Sequence, residues 1–306
     1  MSQDDGPFAS PGGSTSLPFP LYRRGKVRDV YDIGSGRLLI VATDRLSAFD
    51  VVLPTPVPGK GALLTAISNF WFDRTSQSVP NHRTNEPVDT LGISTEAAAG
   101  IADRSTVVRF AERIDIECVV RGHLAGSGWK EYQQQGTLAG ETLPTGLRRG
   151  DPLPERRFTP AMKNDIGHDE NISRERLAAI VGTDVAERLE ATSLMLFDAA
   201  QDIARQAGFV IADTKFEFGW IDGVLTAIDE VLTPDSSRYW DIETWVAGTE
   251  PPSYDKQVVR DWLEGSGWDK EPPGPELPAA IVDTTRQRYA TVLNRLAATS
   301  KRGNHE

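Results

Sequence analysis

The chain has 306 residues and a mass of 33.5 kDa, enough for two ordinary domains, since one hydrophobic core serves ~100–200 residues. Lysine and arginine number 33 and aspartate and glutamate 44, so the formal net charge is −11. Such a balance argues against bulk attraction to nucleic acid or to an anionic membrane. The longest uninterrupted apolar runs are far shorter than the ~20 residues of a membrane-spanning helix, so neither kind of partner is expected.

Cysteine usage limits the chemistry further. A single cysteine, Cys118, excludes an internal disulfide and a zinc site built from several cysteines. Its apolar surroundings at 116–120 predict a buried packing residue rather than a reactive thiol. Four histidines show no metal-like spacing. The composition fits a reducing compartment, and the cytoplasm is the predicted location.

The first elements in chain order follow a polar start. Residues 1–16 are rich in Gly, Pro, Ser and Asp and are predicted to form a disordered tail. Apolar patterning beyond this tail then predicts strands at 27–33, 37–42, 105–110 and 113–121, and a helix at 61–76. We place a boundary between two lobes around residues 105–115, which gives an N-terminal lobe at 17–110 and a C-terminal lobe at 111–306.

The second half mixes helices and strands. Helices are predicted at 127–135, 173–181, 183–207 and 279–298, and strands at 209–220 and 224–231. A polar stretch rich in Gly, Pro and Arg occupies 136–171. The dipeptide Asp222-Gly223 between the two strands is a strong hairpin signal. Without a regular alternation of strand and helix, the pattern favours an α+β fold of antiparallel sheets with flanking helices.

A basic motif lies at the first predicted strand. Gly25 lets a backbone approach closely, and Lys26 and Arg28 alternate so that both cations face the same side of the strand. This arrangement suits a polyphosphate, although it is not a Walker A loop. The alternative is a basic strand edge that is merely solvated.

A second candidate anion site precedes the helix at 127–135. Small residues at 125–128 would expose backbone N–H groups, with Ser127 as the N-cap, and Arg121 enters from the end of the preceding strand. The pattern is compatible with a phosphate monoester. An ordinary strand-to-helix turn with a capping serine is equally compatible.

The hairpin carries a charged cluster. Lys215 and Glu217 share one strand face, while the phenylalanines between and after them face a core. A two-residue turn would oppose Lys215 to Glu230, whereas a three-residue loop with a bulge would oppose it to Asp229. We favour the bulge, because it keeps Asp229 off the apolar face. Two carboxylates a few ångströms apart suit Mg²⁺ bound to nucleotide phosphates, and a cross-strand ion pair is the alternative.

Further charged residues follow this hairpin. Asp235 and Arg238 come just after the carboxylate-bearing strand and are expected to reach the same cleft. Lys256 and Arg260 are four residues apart on a predicted helix and share a face. Arginine suits bidentate recognition of carboxylate or phosphate, although surface pairing is the default for any one of them.

Taken together, these motifs resemble the SAICAR synthetase family of purine biosynthesis, in its longer form. The resemblance covers about residues 21–260 and rests on six segments in the family's order: YRRGKVRDVYD, TDRLSAFDVVLP, IECVVRGHLAGSGWKEY, FTPAMKNDIGHDENIS, IADTKFEFGW and IDEVLTPDSSRYWD. It implies a two-lobed fold related to ATP-grasp enzymes. The implied reaction joins carboxyaminoimidazole ribonucleotide (CAIR) to L-aspartate, giving SAICAR, ADP and phosphate, with ATP and Mg²⁺ as cofactors.

The resemblance also implies roles for particular residues. Gly25, Lys26, Arg28 and Lys215 would bind ATP, with Lys215, Glu217 and Asp229 as the catalytic set and the two carboxylates as Mg²⁺ ligands. The residues implied for substrate binding are Arg121, Ser127, Lys163, Asp169, Asp235, Arg238 and Arg260. Two alternatives are weighed against the ligase: an ATP-dependent small-molecule kinase of related fold and a non-catalytic nucleotide-binding regulator. The chain is compatible with a monomer.

Overall fold

The computed structural model describes residues 15–163, 170–249 and 251–302. The strands are Leu21–Arg24 (β1), Arg28–Gly34 (β2), Arg37–Ala42 (β3), Ser47–Ala48 (β4), Val51–Val52 (β5), Ser105–Arg109 (β6), Glu112–Arg113 (β7), Ile116–His123 (β8), Thr137–Leu138 (β9), Glu141–Thr142 (β10), Pro152–Phe158 (β11), Ala161–Met162 (β12), Glu170–Asn171 (β13), Phe209–Ile221 (β14), Val224–Ile228 (β15) and Ser237–Asp241 (β16). The α-helices are Lys60–Thr75 (α1), Thr95–Ile101 (α2), Gly126–Gln135 (α3), Arg174–Val181 (α4), Thr183–Gln206 (α5), Gln257–Gly265 (α6) and Ala279–Arg302 (α7), with 3₁₀ turns at Val88–Thr90 and Ala102–Arg104. No helix in these described ranges is long and apolar enough to cross a membrane.

The N-terminal sheet is antiparallel, with strand order β1-β2-β3-β6. Its strands bury every second residue: Tyr31 pairs with Leu39 across the β2–β3 ladder, and both side chains are buried. Helix α2 closes this small core with Ala98 and Ile101. The β2–β3 hairpin predicted from the glycine turn is confirmed, and its open end carries the basic motif.

The larger sheet is centred on β8 and β14, which run antiparallel. Strands β12 and β11 flank β8, and β15, β7 and β16 flank β14. The amphipathic helix α5 covers one face, where Phe216, Phe218 and the fully buried Cys118 join the main core. Burial raises the pKa of the Cys118 thiol, in keeping with the predicted packing role. The predicted α+β class of antiparallel sheets with flanking helices is confirmed.

Helix α1 links the two sheets. Its residues Ile67, Trp71 and Phe72 are buried in the main core with the larger sheet, and the Trp71 indole donates a hydrogen bond to the Tyr239 hydroxyl at 2.9 Å. The division into lobes at 17–110 and 111–306 stays a prediction. The packing assigns α1 to the larger core although the predicted N-terminal lobe contains it.

The hairpin between β14 and β15 differs from the favoured register. Ile221 pairs with Val224, so the turn has two residues, Asp222 and Gly223, both at positive φ. Such a turn matches the twist of the flanking strands, and the predicted three-residue loop with a bulge is wrong. Asp229 still avoids the apolar face, because β15 ends at Ile228 and Asp229 turns away at φ 66°.

Two other expectations need correction. The predicted tail at 1–16 includes Thr15, which is buried and whose backbone N–H donates to Asp29 at 2.8 Å; residues 1–14 lie outside the described part. The stretch 136–171 contains the short strands β9 to β13. Most of these strands have only two residues, too few to show the alternation from which a strand is predicted.

Candidate active site

The centre of the candidate site is one face of the β8–β14 pair. Asp213 lies opposite Arg121 and Lys215 opposite Val119, so alternate residues of both strands share this face. Glu117 and Glu217 follow in the same alternation, while Phe216 and Phe218 occupy the opposite, buried face. The shared face of Lys215 and Glu217 is therefore confirmed, and β8 adds Glu117 to it.

Ion pairs cover this face. The Lys215 ammonium donates to Glu117 Oε1 at 2.7 Å, and the Lys163 ammonium donates to Glu217 Oε1. Burial alone would raise the pKa of Glu217, but Lys163, Lys215 and Arg28 together hold it below its ordinary value. Glu217 is thus a carboxylate at neutral pH with cations on several sides.

Asp229 approaches the same face from the end of β15. Burial and the neighbouring carboxylates Glu217 and Glu230 raise its pKa to about 6, against the opposing effect of Arg28. The Arg28 guanidinium spans the pair, with Nη1 2.7 Å from Asp229 Oδ1 and Nη2 3.1 Å from Glu230 Oε1. The charge of Glu217 contributes to the raised pKa of Asp229, and Arg28 lowers the pKa of both carboxyl groups, so the two predicted metal ligands lie in one electrostatic environment.

The basic motif forms the β1–β2 turn. Gly25 donates its N–H to the carbonyl of Arg28 at 2.8 Å, which closes the turn, and the Lys26 ammonium pairs with Asp50. Burial opposes the charged form of Arg28, but its carboxylate neighbours outweigh that effect and raise its pKa. Of the three residues predicted to meet a polyphosphate, Arg28 lines the adjoining pocket, and Gly25 and Lys26 precede it in the same turn.

A pocket lies behind this turn. Apolar side chains from the end of the β1–β2 turn, from β3 and from α1 line it, together with hydroxyl side chains and charged groups: Val27, Ile40, Ala42 and Leu64; Thr65, Ser68 and Thr106; and Arg28, Asp229 and Glu230. Apolar walls with a few polar groups are typical of ligand pockets. The lining thus includes Asp229, one of the two predicted metal ligands.

The second candidate anion site is built around Asp213. Arg121 donates from Nη1 to Asp213 Oδ2 and from Nη2 to the Ser127 hydroxyl, both at 3.0 Å, and Arg238 Nη1 lies 2.5 Å from the same Asp213 oxygen. Strand β16 pairs with β14 and places Arg238 there. The structure thus brings Arg121, Ser127 and Arg238 together.

The start of helix α3 differs in detail from the prediction. The N-cap is Ala125, and Ser127 lies in the first turn, where its hydroxyl accepts from Arg121 instead of capping the helix. The first N–H groups of a helix lack partners within it and attract anions. Gly126 has φ 55°, and a Cβ on it would lie 2.4 Å from Arg238 Nη2. Only glycine leaves room for this arginine.

Asp235 lies deeper than expected. Its Oδ2 is 2.9 Å from the Lys60 ammonium and 3.6 Å from that of Lys256, and its Oδ1 accepts from the Tyr289 hydroxyl at 2.6 Å. The Asp235 side chain is only 4% exposed, so it has little surface to offer a ligand. Arg260 on α6 pairs with Asp255 at 3.2 Å and remains partly exposed.

Several functional candidates were missed from sequence, and one lies outside the description. Asp169 falls in the undescribed range 164–169. The missed residues are Lys60, Glu117, Asp213 and Glu230. Glu117 and Asp213 were predictable, because strand alternation places Glu117 on the same face as Arg121 and Asp213 on the same face as Lys215. Lys60 was not, because its partner Asp235 is distant in the sequence.

The donor set fits a magnesium ion. Mg²⁺ is usually held by one or two protein carboxylates together with substrate phosphates and water. Glu217 and Asp229 supply two such carboxylates, and the pKa of Asp229 is raised by its burial first and by the neighbouring carboxylates Glu217 and Glu230 second. Within the described ranges no group of three or more His, Cys, Asp or Glu side chains could hold a metal alone. The site therefore suits a metal that arrives with a phosphate ligand.

Comparison with known proteins identifies the family. A sequence model described as SAICAR synthetase matches residues 21–275. The chain belongs to the SAICAR synthetase family. A relative from Polaromonas naphthalenivorans, named phosphoribosylaminoimidazole-succinocarboxamide synthase, is 50% identical over 295 residues, covering 93% of this chain and 96% of its own.

Solved SAICAR synthetases share the fold. The SAICAR synthase from Saccharomyces cerevisiae complexed with SAICAR superposes with a TM-score of 0.84 at 40% identity, covering 93% of this chain and 97% of its own. A SAICAR synthetase in complex with ADP has a TM-score of 0.68 at 24% identity, covering 91% and 98%, and supports the fold alone. The predicted family and its ligase class are confirmed, and neither the kinase nor the idle regulator is favoured.

Proposed function

We propose that this chain catalyses the ATP-dependent ligation of CAIR with L-aspartate to give SAICAR, ADP and phosphate, in de novo purine biosynthesis in the cytoplasm. The observation that carries the proposal is the apolar pocket that ends at Arg28, Asp229 and Glu230 beside the Glu217 carboxylate. We expect a flat base to occupy the apolar part of this pocket and its phosphates to meet the charged groups. The names of the relatives and the SAICAR complex of the yeast protein agree with the reaction.

The nucleotide would lie across the β1–β2 turn. Its base would enter the pocket walled by Val27 and Leu64, and its phosphates would meet Gly25, Lys26, Arg28 and Lys215. A SAICAR synthetase with the same fold is in complex with ADP, which supports a nucleotide as a ligand. Phosphoryl transfer depends mostly on positioning and charge neutralisation, which basic groups at a pocket end provide.

Glu217 and Asp229 would hold Mg²⁺ together with the nucleotide phosphates. When bound, the ion would neutralise charge on the transferring phosphoryl group. The protein's own contribution is to pair each carboxylate with a cation, Glu217 with Lys163 and Asp229 with Arg28. Lys215, on the same face as Glu217, would complete the catalytic set.

The phosphate of CAIR would bind at the start of α3. Arg121, Ser127 and Arg238 converge there, and Asp213 orients both arginines. Two guanidinium groups and the first N–H groups of a helix form a suitable receptor for a phosphate monoester. This leaves the imidazole end of CAIR directed along the β8–β14 face towards Glu217.

The chemistry then has two balanced steps. A CAIR carboxylate oxygen attacks the γ-phosphorus of ATP, and the bond from this phosphorus to the oxygen that bridges to the β-phosphate breaks. ADP departs, and the CAIR carboxylate has become an acyl phosphate. The aspartate amine attacks the acyl carbon, phosphate departs with the bonding electron pair, and the nitrogen loses a proton. Lys163 and Arg260 would lie at the substrate end, with Asp235 supporting that end from inside, and the role of Asp169 in substrate binding stays a prediction from the family resemblance.

The decisive experiment is a coupled assay of ADP formation by the full chain, with CAIR or L-aspartate omitted in turn. We expect ADP release to require both substrates and product analysis to show one SAICAR per ADP. Release that proceeds equally well without aspartate would overturn the ligase and favour a kinase. A sedimentation measurement alongside the assay would test the expected monomer.

A further inference from the structure

The motif TDRLSAFD at 43–50 has no role in the proposed reaction, yet three of its residues, Thr43, Arg45 and Asp50, contact the proposed phosphate-binding turn. Thr43 lies just after β3, next to the end of the turn, and donates to the Val27 carbonyl from both its backbone N–H, at 3.0 Å, and its hydroxyl, at 2.9 Å. At the other end of the motif, Asp50 pairs with the Lys26 ammonium. Arg45 lies between these two contacts.

The Arg45 side chain forms hydrogen bonds with the backbone of the turn. Its Nε donates to the Lys26 carbonyl and its Nη2 to the Gly25 carbonyl, both at 3.0 Å. With Thr43 on the Val27 carbonyl, three consecutive carbonyl oxygens of the turn are held by one short segment. A lysine in place of Arg45 has no second donor arm and cannot reproduce the planar fork.

These contacts fix the direction of the N–H groups. In a trans peptide unit the C=O and N–H bonds point in opposite directions, and every described peptide of the turn is trans. Because Arg45 holds the Gly25 and Lys26 carbonyls, the N–H groups of Lys26 and Val27 point away from it. Successive N–H groups turned to one side form an anion-binding concavity.

The guanidinium is itself held in place. Arg45 is 1% exposed and Asp29 is fully buried, and Nη2 donates to Asp29 Oδ1 at 2.7 Å. The other oxygen of Asp29 accepts from both the backbone N–H and the hydroxyl of Thr15, at 2.8 and 2.9 Å. A buried arginine with this many fixed partners cannot reach a ligand, so any effect it has on the nucleotide passes through the turn.

We propose that Arg45 is a positioning residue that holds the turn Gly25–Val27 in its phosphate-binding conformation and thereby sets the affinity for nucleotide phosphates. The inference rests on the proposed nucleotide site. Arg45 is expected to affect the binding of the phosphates and not that of the base, because it does not line the base pocket. Its loss is therefore expected to weaken ADP far more than adenosine.

The test compares two ligands on three variants. Arg45→Lys keeps the charge but loses the fork, and Thr43→Val removes one hydroxyl from the Val27 carbonyl. Arg37→Lys, on the same sheet and paired with Glu86 at 2.5 Å, is the matched control. Dissociation constants for ADP and adenosine are measured by equilibrium titration of each folded protein, as judged from its thermal midpoint.

We expect Arg45→Lys to raise the Kd for ADP by about tenfold, the scale of one charged hydrogen bond, and to leave the Kd for adenosine unchanged. Thr43→Val should cause a smaller loss in the same direction, and it decides the question if Arg45→Lys does not fold. Equal losses for both ligands, or ADP affinity unchanged in a folded variant, would overturn the inference. If the unaltered chain fails to bind ADP, the proposed nucleotide site itself is refuted.

Discussion

Asp229 illustrates how a single backbone conformation builds the candidate metal site. Its φ of 66° is in the left-handed region, which aspartate tolerates better than most side chains. This conformation ends the β14–β15 ladder and turns the carboxylate towards Arg28 instead of the core. The buried His82 lies close enough to the Asp229 main chain for it to oppose the lowering of the His82 pKa by burial. The backbone conformation of Asp229 thus directs its carboxylate away from the core.

The first prediction at this scale concerns Glu217. Glu217→Gln keeps the size of the side chain but removes the charge that a metal ion requires, so we expect a fall in turnover of at least about 100-fold with the fold intact. Turnover is measured against Mg²⁺ concentration, and far-ultraviolet circular dichroism checks the fold. Glu86→Gln, which weakens the Arg37 pair outside the cleft, is the matched control. Unaltered Mg²⁺ activation in Glu217→Gln would remove this residue from the metal site.

A second prediction concerns pH and His82. Burial lowers the pKa of His82 from 6.5 to about 3, so the unfolded chain takes up a proton that the folded chain refuses. The associated stability is complete above pH 6.5 and is lost as the pH falls towards 3, by ~1.4 kcal/mol per pH unit. His82→Asn keeps a donor without the titration, and we expect its free energy of unfolding to fall less steeply by that amount. Equal slopes from pH 6 to 4, measured by denaturant titration, would contradict the assignment.

At the scale of elements, helix α3 offers two glycines for one comparison. Gly126 at its start and Gly136 after its end both have positive φ, but only a Cβ on Gly126 would meet another side chain, the Arg238 guanidinium. Both Gly126→Ala and Gly136→Ala should cost ~1–2 kcal/mol of stability for the left-handed backbone. We expect Gly126→Ala alone to raise the KM for CAIR, by about tenfold, because it displaces Arg238. Equal KM values for the two variants would show that Arg238 does not bind the CAIR phosphate.

Elements with a long period were predictable from sequence, and short or register-dependent ones were not. Helix α5 and strand β14 bury a repeated face, so 3.6- and 2-residue spacing located them within a few residues. The β14–β15 register was missed, because either turn length leaves the phenylalanines inside, and only backbone angles at Asp222 and Asp229 decide between them. Among the residues that the structure describes, strands β9 and β10 pair only with each other, and two residues each are too few for a periodic signal.

The candidate site was predictable to a similar degree. Motifs on single strands, such as Lys215 and Glu217, were found because their spacing is local. Ion partners were missed where they come from distant segments, as with Lys215 and Glu117, 98 residues apart, or Arg28 and Glu230, 202 apart. Pairing over such distances is set by how the sheets pack, which no local pattern records.

At the scale of the whole molecule, the net charge of −11 conceals an organised separation. Residues 183–264 contain 17 acidic and 6 basic side chains, whereas residues 17–60 contain 7 basic and 4 acidic ones. The cleft lies where these segments meet, at the Arg28 pairs with Asp229 and Glu230. Small anions with a divalent cation are therefore accommodated by a protein that would repel a long polyanion.

Asp235, from the acidic segment 183–264, connects helices α1, α6 and α7. Its carboxylate meets Lys60 at the start of α1, Lys256 just before α6 and Tyr289 on α7. Burial alone would raise the pKa of Asp235, but Lys256 and Lys60 hold it well below its ordinary value.

Asp235→Asn would leave two buried ammonium groups without their counter-charge, so we expect the free energy of unfolding to fall by ~3–5 kcal/mol. Tyr289→Phe removes one hydrogen bond and should cost only ~1 kcal/mol. Denaturant titration measures the free energy of unfolding of both variants. The KM for CAIR, measured on each folded variant, distinguishes a structural role of Asp235 from direct binding of CAIR. A stable Asp235→Asn variant with a strongly raised KM would show that Asp235 reads the ribonucleotide directly, against the buried geometry described here.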